Sequence, residues 1–170
     1  MLGRKTKKEK IDKNKASEVD KTTEDCCEMN EFMAAALKEA KDAAKKGEVP
    51  IGAVIVFEGK IISRAHNMRE KMQNAIAHAE VLAIDSACNK MKSWRLDDCE
   101  MYVTLQPCVM CAGAILNARI KKVYIGMPSD RTNDLNVYKE NNLNHKTEVE
   151  VMNCEECGQI LKDFFEKHRG

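Results

Sequence analysis

The chain has 170 residues, 44% of them hydrophobic and 32% charged, which is enough for one globular core with a polar appendage and too little for two comfortable domains. Its formal net charge is +1, from 28 Lys and Arg against 27 Asp and Glu, so no bulk field marks it as a nucleic-acid or membrane binder and any basic footprint must be local. The opening "MLGRKTKKEK" is basic with no apolar stretch behind it, and no later apolar run could span a bilayer.

These features read as a cytoplasmic protein without a secretory leader or membrane anchor, in which eight cysteines serve as thiols, metal ligands or redox centres rather than disulfides. Residues 1–25 are Lys, Glu, Asp, Thr and Ser with almost no apolar side chains, so they cannot offset the entropy of ordering. They are expected to form a disordered tail ahead of a single domain over 26–170.

From Met29 the pattern becomes helical through Phe32, Met33, Ala36, Leu37, Ala40 and Ala43, and Gly47 supplies the stop. "IGAVIVFEGKII" then reads as a β-hairpin: a strand from Ile51 to Phe57, a Glu58-Gly59 turn, and a return through Ile61 and Ile62. "AHAEVLAIDSAC" restores helical spacing through Val81, Leu82, Ile84 and Ala87, and the polar "KMKSWRLDD" breaks it.

"CEMYVTLQ" is strand-like, "PCVMCAGAILNAR" helix-like with proline in its first turn, and "KKVYIG" strand-like again. A strand, a crossover helix and a strand predict a parallel pair with a right-handed connection. The polar, Asn-rich stretch from Pro128 to His145 receives no assignment. "TEVEVM" alternates as a strand does, and Asn153 with Glu156 resembles a capping box opening a last helix through Ile160, Leu161, Phe164 and Phe165.

Cys108 and Cys111 stand on the first turn of a predicted helix, where both sulfurs face one side and can grip one ion. By themselves they fit equally a redox pair or two small packed residues. Upstream, His78 and Glu80 sit at the start of another predicted helix. Residues two apart in mid-helix point about 200° away from each other, but where the chain is not yet helical both can face one site.

One imidazole and two thiolates make three ligands, which leaves a tetrahedral zinc one open position for water, the catalytic rather than the structural arrangement. Glu80 would then be the proton carrier, free of the metal and able to accept a proton and return it.

His78-Ala79-Glu80 followed by Pro107-Cys108-Val109-Met110-Cys111 is the zinc nucleobase-deaminase signature. With "HAEVLAI" before it and "NH…KDFF" after it, "YVTLQPCVMCAGAILNARIKKVYIG" resembles the bacterial tRNA-specific adenosine deaminase (TadA) family of the cytidine/deoxycytidylate deaminase-like superfamily, from about Met29 to the C-terminus.

The resemblance implies an α/β protein: a three-layer α/β/α cytidine deaminase-like fold with a central mixed sheet. It also implies a homodimer with one Zn2+ per subunit, acting on the wobble adenosine of a tRNA anticodon stem-loop to give inosine. His78, Cys108 and Cys111 would hold the metal and Glu80 would shuttle protons. Asn67, in "AHN" after the hairpin, and Ala79 take the substrate-binding positions.

Three departures stand out. Gln106 replaces the usual glutamate before Pro-Cys, Asn74-Ala75-Ile76 replaces Asp-Pro-Thr, and "MPSDRTNDLNVYKENNL" after Gly126 lacks the family's glycine-rich loop at the pocket mouth.

A rival enzyme of the same superfamily is a free-base or nucleoside deaminase, such as a guanine or cytosine deaminase, which shares zinc, glutamate and fold. A rival from another class is a zinc-stabilised RNA-binding module without turnover, against which Glu80 argues. The basic C-terminal helix offers Lys162, Lys167 and Arg169 as phosphate contacts. The helix after Cys111, with Ala112, Gly113, Ala114 and Ile115, is a dimer contact or a buried element. Cys154 and Cys157 read as packing or surface thiols, Cys88 and Cys99 as core or loop residues, Cys26 and Cys27 as residues without a specific role, and Trp94 as a packing anchor.

Overall fold

A computed structural model describes residues 30–129, 134–139 and 145–168. The expected tail, Cys26, Cys27, Met29 and Arg169 lie outside the described residues. Helix α1 covers Glu31–Lys45, with Asn30 Oδ1 accepting the Phe32 amide at 2.8 Å as its N-cap. Met33, Ala36, Leu37, Ala40 and Ala43 form its buried stripe, and Gly47 ends the turn at φ +77°. Strands β1 (Gly52–Phe57) and β2 (Lys60–His66) form the hairpin. Glu58 and Gly59 both have positive φ, as a tight two-residue turn demands.

Next come α2 (Arg69–Met72), α3 (Ala79–Met91), β3 (Glu100–Leu105), α4 (Val109–Asn117), β4 (Lys122–Met127), a 3-10 turn (Asp134–Tyr138), β5 (Glu148–Val151) and α5 (Glu155–His168). The five strands run in the order β2-β1-β3-β4-β5. β1 is antiparallel to β2 and β3, whereas β3, β4 and β5 are mutually parallel, so the sheet is mixed.

Strand alternation sorts the core into two layers. Ala53, Ile55, Met101, Val103, Val123 and Ile125 face α3 and α4, while Val54, Val56, Tyr102 and Tyr124 face α1 and α5. With both faces covered, β1 reads as a continuous apolar run. This is the expected α/β/α sandwich. Gly52 allows α1 to lie directly on β1: a Cβ there would stand 2.1 Å from Ala36 O and 2.6 Å from Ala40 N.

Two local expectations are corrected. Asn153 does not cap α5, because it holds φ +51° and the helix opens at Glu155; Cys154 precedes the first turn, with its amide donating to Gly126 O at 2.7 Å. Trp94 is not the anchor of its loop, since it is 61% exposed with the guanidiniums of Arg95 and Arg119 each 5.7 Å from its ring. Leu96 is the anchor, buried in the core with its amide donating to Ala118 O at 2.8 Å.

Candidate active site

The site lies where α3 and α4 begin, on the α3/α4 side of the sheet. His78 is the N-cap of α3 at φ −79°, ψ 153°, and Cys108 is the N-cap of α4 at φ −70°, ψ 170°. Neither side chain caps its own helix, so both donor atoms remain for each other. His78 Nδ1 lies 3.8 Å from Cys108 Sγ and 3.5 Å from Cys111 Sγ. All three donor atoms fall within 4.8 Å of one another, and no other such group of His, Cys, Asp and Glu occurs among the described residues.

Glu80, in the first turn of α3, is 3% exposed, and its Oε2 has no hydrogen-bond partner among the described residues. Burial raises its pKa above the ordinary carboxylate value. Burial also pushes the Cys111 thiol up, with the charges of Glu80 and Cys108 adding to the effect. It holds the His78 imidazole below its usual value, helped by Arg69. Two thiols, one imidazole nitrogen and a buried carboxyl with an orphaned oxygen therefore face one small volume. That donor set suits a soft divalent cation, and zinc in particular.

The departures noted in the sequence have local structural readings. Gln106 Oε1 accepts the Ser129 amide at 3.1 Å and its own amide donates to Met127 O at 2.9 Å, so an acceptor there ties the loop before Cys108 to the chain after β4. Asn74 Oδ1 accepts the Ile76 amide at 3.1 Å, an Asx turn that aspartate would also make. Met68 N donates to Ala77 O at 3.0 Å and brings the chain after Asn67 beside the chain before His78.

Asn67 and Ala79 are both buried. Tyr138, from the stretch left unassigned in the sequence, is buried against the α3/α4 core; burial pushes its hydroxyl pKa up, and Glu80 and the two cysteines add to this. Lys162 and Lys167 are exposed on α5, which packs on the opposite layer. Cys157 is buried beside Gly126, and Cys154 is half-buried with Sγ 3.4 Å from Glu156 Oε2, apart from the three-donor group.

Sequence reasoning missed Glu48. This buried carboxylate accepts from Asn67 Nδ2 at 3.2 Å, Glu70 N at 3.2 Å and Lys71 N at 2.7 Å. Its partners are distant in the chain and two of them are backbone, so no residue pattern announces it.

A mixed-sheet α/β/α sandwich that joins one imidazole, two cysteines and a buried glutamate across two helix starts defines the zinc nucleobase-deaminase class. The family model for MafB19-like deaminases matches residues 27–169. The chain is 49% identical over 143 residues to the tRNA-specific adenosine deaminase of Bacillus subtilis, covering 81% of this chain and 89% of that one. A structure from work on A-to-I editing by tRNA:A34 deaminases superposes with a TM-score of 0.73 at 36% identity, covering 76% of this chain and 98% of the other. A guanine deaminase from Bacillus subtilis matches with a TM-score of 0.57 at 31% identity, covering 84% and 96%. The chain belongs to the tRNA-specific adenosine deaminase family. Among the described residues no helix is long and apolar enough to cross a membrane.

Proposed function

We propose that the chain converts the wobble adenosine of a tRNA anticodon, A34, to inosine by hydrolytic deamination. The observation that carries the chemistry is the approach of His78 Nδ1 to Cys108 Sγ and Cys111 Sγ, at 3.8 and 3.5 Å, with buried Glu80 beside them. The choice of tRNA rests on the higher identity and better superposition with tRNA:A34 deaminases than with guanine deaminase.

His78, Cys108 and Cys111 would hold one zinc per subunit, which when bound supplies an activated water. Overall, water adds at C6 of the base and ammonia leaves. Glu80 takes the first proton that the water loses and delivers it to the ring nitrogen. It then takes the second, from the hydroxyl now attached at C6, and passes it to the amine, so that the C6 carbonyl forms as the carbon–nitrogen bond breaks and ammonia leaves. Its buried, proton-favouring environment suits a group that must hold a proton between transfers. Asn67 orients the base, and the chain at Ala79 lies between metal ligand and proton carrier.

An anticodon loop already presents an unpaired base, so extruding it takes little energy. Lys162, Lys167 and Arg169 are offered for phosphate contacts, and the cytoplasm is where the substrate is met. The homodimer is supported by Val109 and Met110, 55% and 37% exposed on the first turn of α4, whereas Ala112 and Ile115 are fully buried within the subunit.

Incubation with total tRNA and, separately, with free purines and cytosine tests the reading. Inosine in the tRNA supports it, and ammonia from guanine alone rejects it.

A further inference from the structure

Glu48 is 1% exposed, yet among the described residues no Lys, Arg or His forms an ion pair with it. A buried carboxylate without a cation is costly unless hydrogen-bond donors surround it. Three donors do so here: Oε2 accepts from Asn67 Nδ2 and Glu70 N, both at 3.2 Å, and Oε1 accepts from Lys71 N at 2.7 Å. The two amides belong to the first turn of α2, where backbone N–H groups have no partner within the helix.

We propose that Glu48 is a positioning residue that fixes the carboxamide of Asn67 and the start of α2, and through them the way the site takes up its base. The proposal rests on the functional reading only in giving Asn67 a contact with substrate.

An ionised carboxylate accepts hydrogen bonds and donates none, so the Asn67 carboxamide can face it only with its NH2 group. A flipped amide would set Oδ1 against Glu48 and lose the bond. The amide is thereby held in one orientation, with Oδ1 and the second N–H of Nδ2 left over for a ligand. The same carboxylate ties the connection between α1 and β1 to the segment between β2 and α3. That segment carries Met68, whose amide donates to Ala77 O directly before His78. One side chain thus sets both an amide and the backbone leading to a candidate metal ligand.

Glutamine is the informative replacement. It keeps size and one acceptor, but its NH2 group would face an N–H donor and leave at least one of the three without a bond.

A double-mutant cycle on kcat/KM with the zinc-loaded enzyme is the test. Glu48→Gln and Asn67→Ala are each expected to lose about 10- to 100-fold. Because part of the effect of Glu48 passes through Asn67 and part through the start of α2, adding Glu48→Gln to Asn67→Ala should lose clearly less than Glu48→Gln loses in the parent, short of additivity by about threefold or more. Glu48→Asp, which keeps the carboxylate on a shorter arm, should recover part of the loss, and it enters the cycle if the Gln variant does not fold.

The second readout needs no substrate. In 1H–15N spectra the Asn67 side-chain amide, assigned by its disappearance in Asn67→Asp, should show one proton shifted downfield in the parent and lose that shift in Glu48→Ala, which leaves no acceptor oxygen at this position. Additive losses in the cycle, or an Asn67 amide signal indifferent to Glu48, overturn the proposal. If the parent deaminates only a free base, the cycle is run on that base: the functional reading then falls, and the Glu48–Asn67 relationship is still decided.

Discussion

His78 Nδ1 and Cys111 Sγ lie 3.5 Å apart although 33 residues separate them. The contact exists because α3 and α4 start side by side on one face of the sheet, His78 preceding one helix and Cys111 in the first turn of the other. His78→Ala and Cys108→Ala are each expected to abolish stoichiometric zinc, and Cys154→Ala to retain it. Metal analysis of the three purified variants decides this; loss of zinc in Cys154→Ala would mean that the ligand set is wrong.

Glu80→Gln is expected to keep zinc and fold while turnover drops about 10²–10⁴-fold or more, since general acid–base groups are typically worth that much and Glu80 serves several transfers. Single-turnover kinetics beside metal analysis measures it. Near-normal activity would remove Glu80 from the proton path.

Gly52→Ala is expected to destabilise the protein by about 3 kcal/mol, at the upper end of what overpacking does. The atoms a Cβ would meet are Ala36 O at 2.1 Å and Ala40 N at 2.6 Å, backbone of α1 that cannot swing aside. Gly59→Ala, where nothing lies within 4 Å but φ is +69°, should be the milder of the two. Denaturant midpoints for the pair test the ranking.

Sedimentation at micromolar concentration should give a dimer. Replacing Val109 and Met110 by polar residues should shift it towards monomer, because these are the large exposed apolar side chains of α4. A parent protein that sediments only as monomer contradicts the dimer.

The parts of the fold that could be read from the sequence are those with a strong period or punctuation. The α1 stripe from Met33 to Ala43 repeats at helical spacing, and Glu58-Gly59 marks the hairpin because only a turn tolerates two positive φ values in a row. The candidate metal cluster is legible because His78, Cys108 and Cys111 sit beside helix starts that proline and the apolar period reveal. Helix α2 is not: Arg69–Met72 is short and buries none of its residues, so it has no apolar face to detect. Asn153 carried the residue types of a capping box, but the turn out of β5 took it into the left-handed region instead. Tyr138 reaches the site from a segment whose polar composition has no period. Trp94 misled by size; one residue beyond Arg95, Leu96 is the side chain that fills the core.

The most direct measurement compares kcat/KM for an anticodon stem-loop bearing adenosine at the wobble position with that for free adenosine and free guanine, using zinc-loaded protein. The stem-loop should yield inosine, with binding that weakens as salt rises and a shallower salt slope once Lys162, Lys167 and Arg169 are neutralised. Free adenosine should remain unreacted. Equal turnover of the stem-loop and a free base, or turnover of guanine alone, would contradict the account.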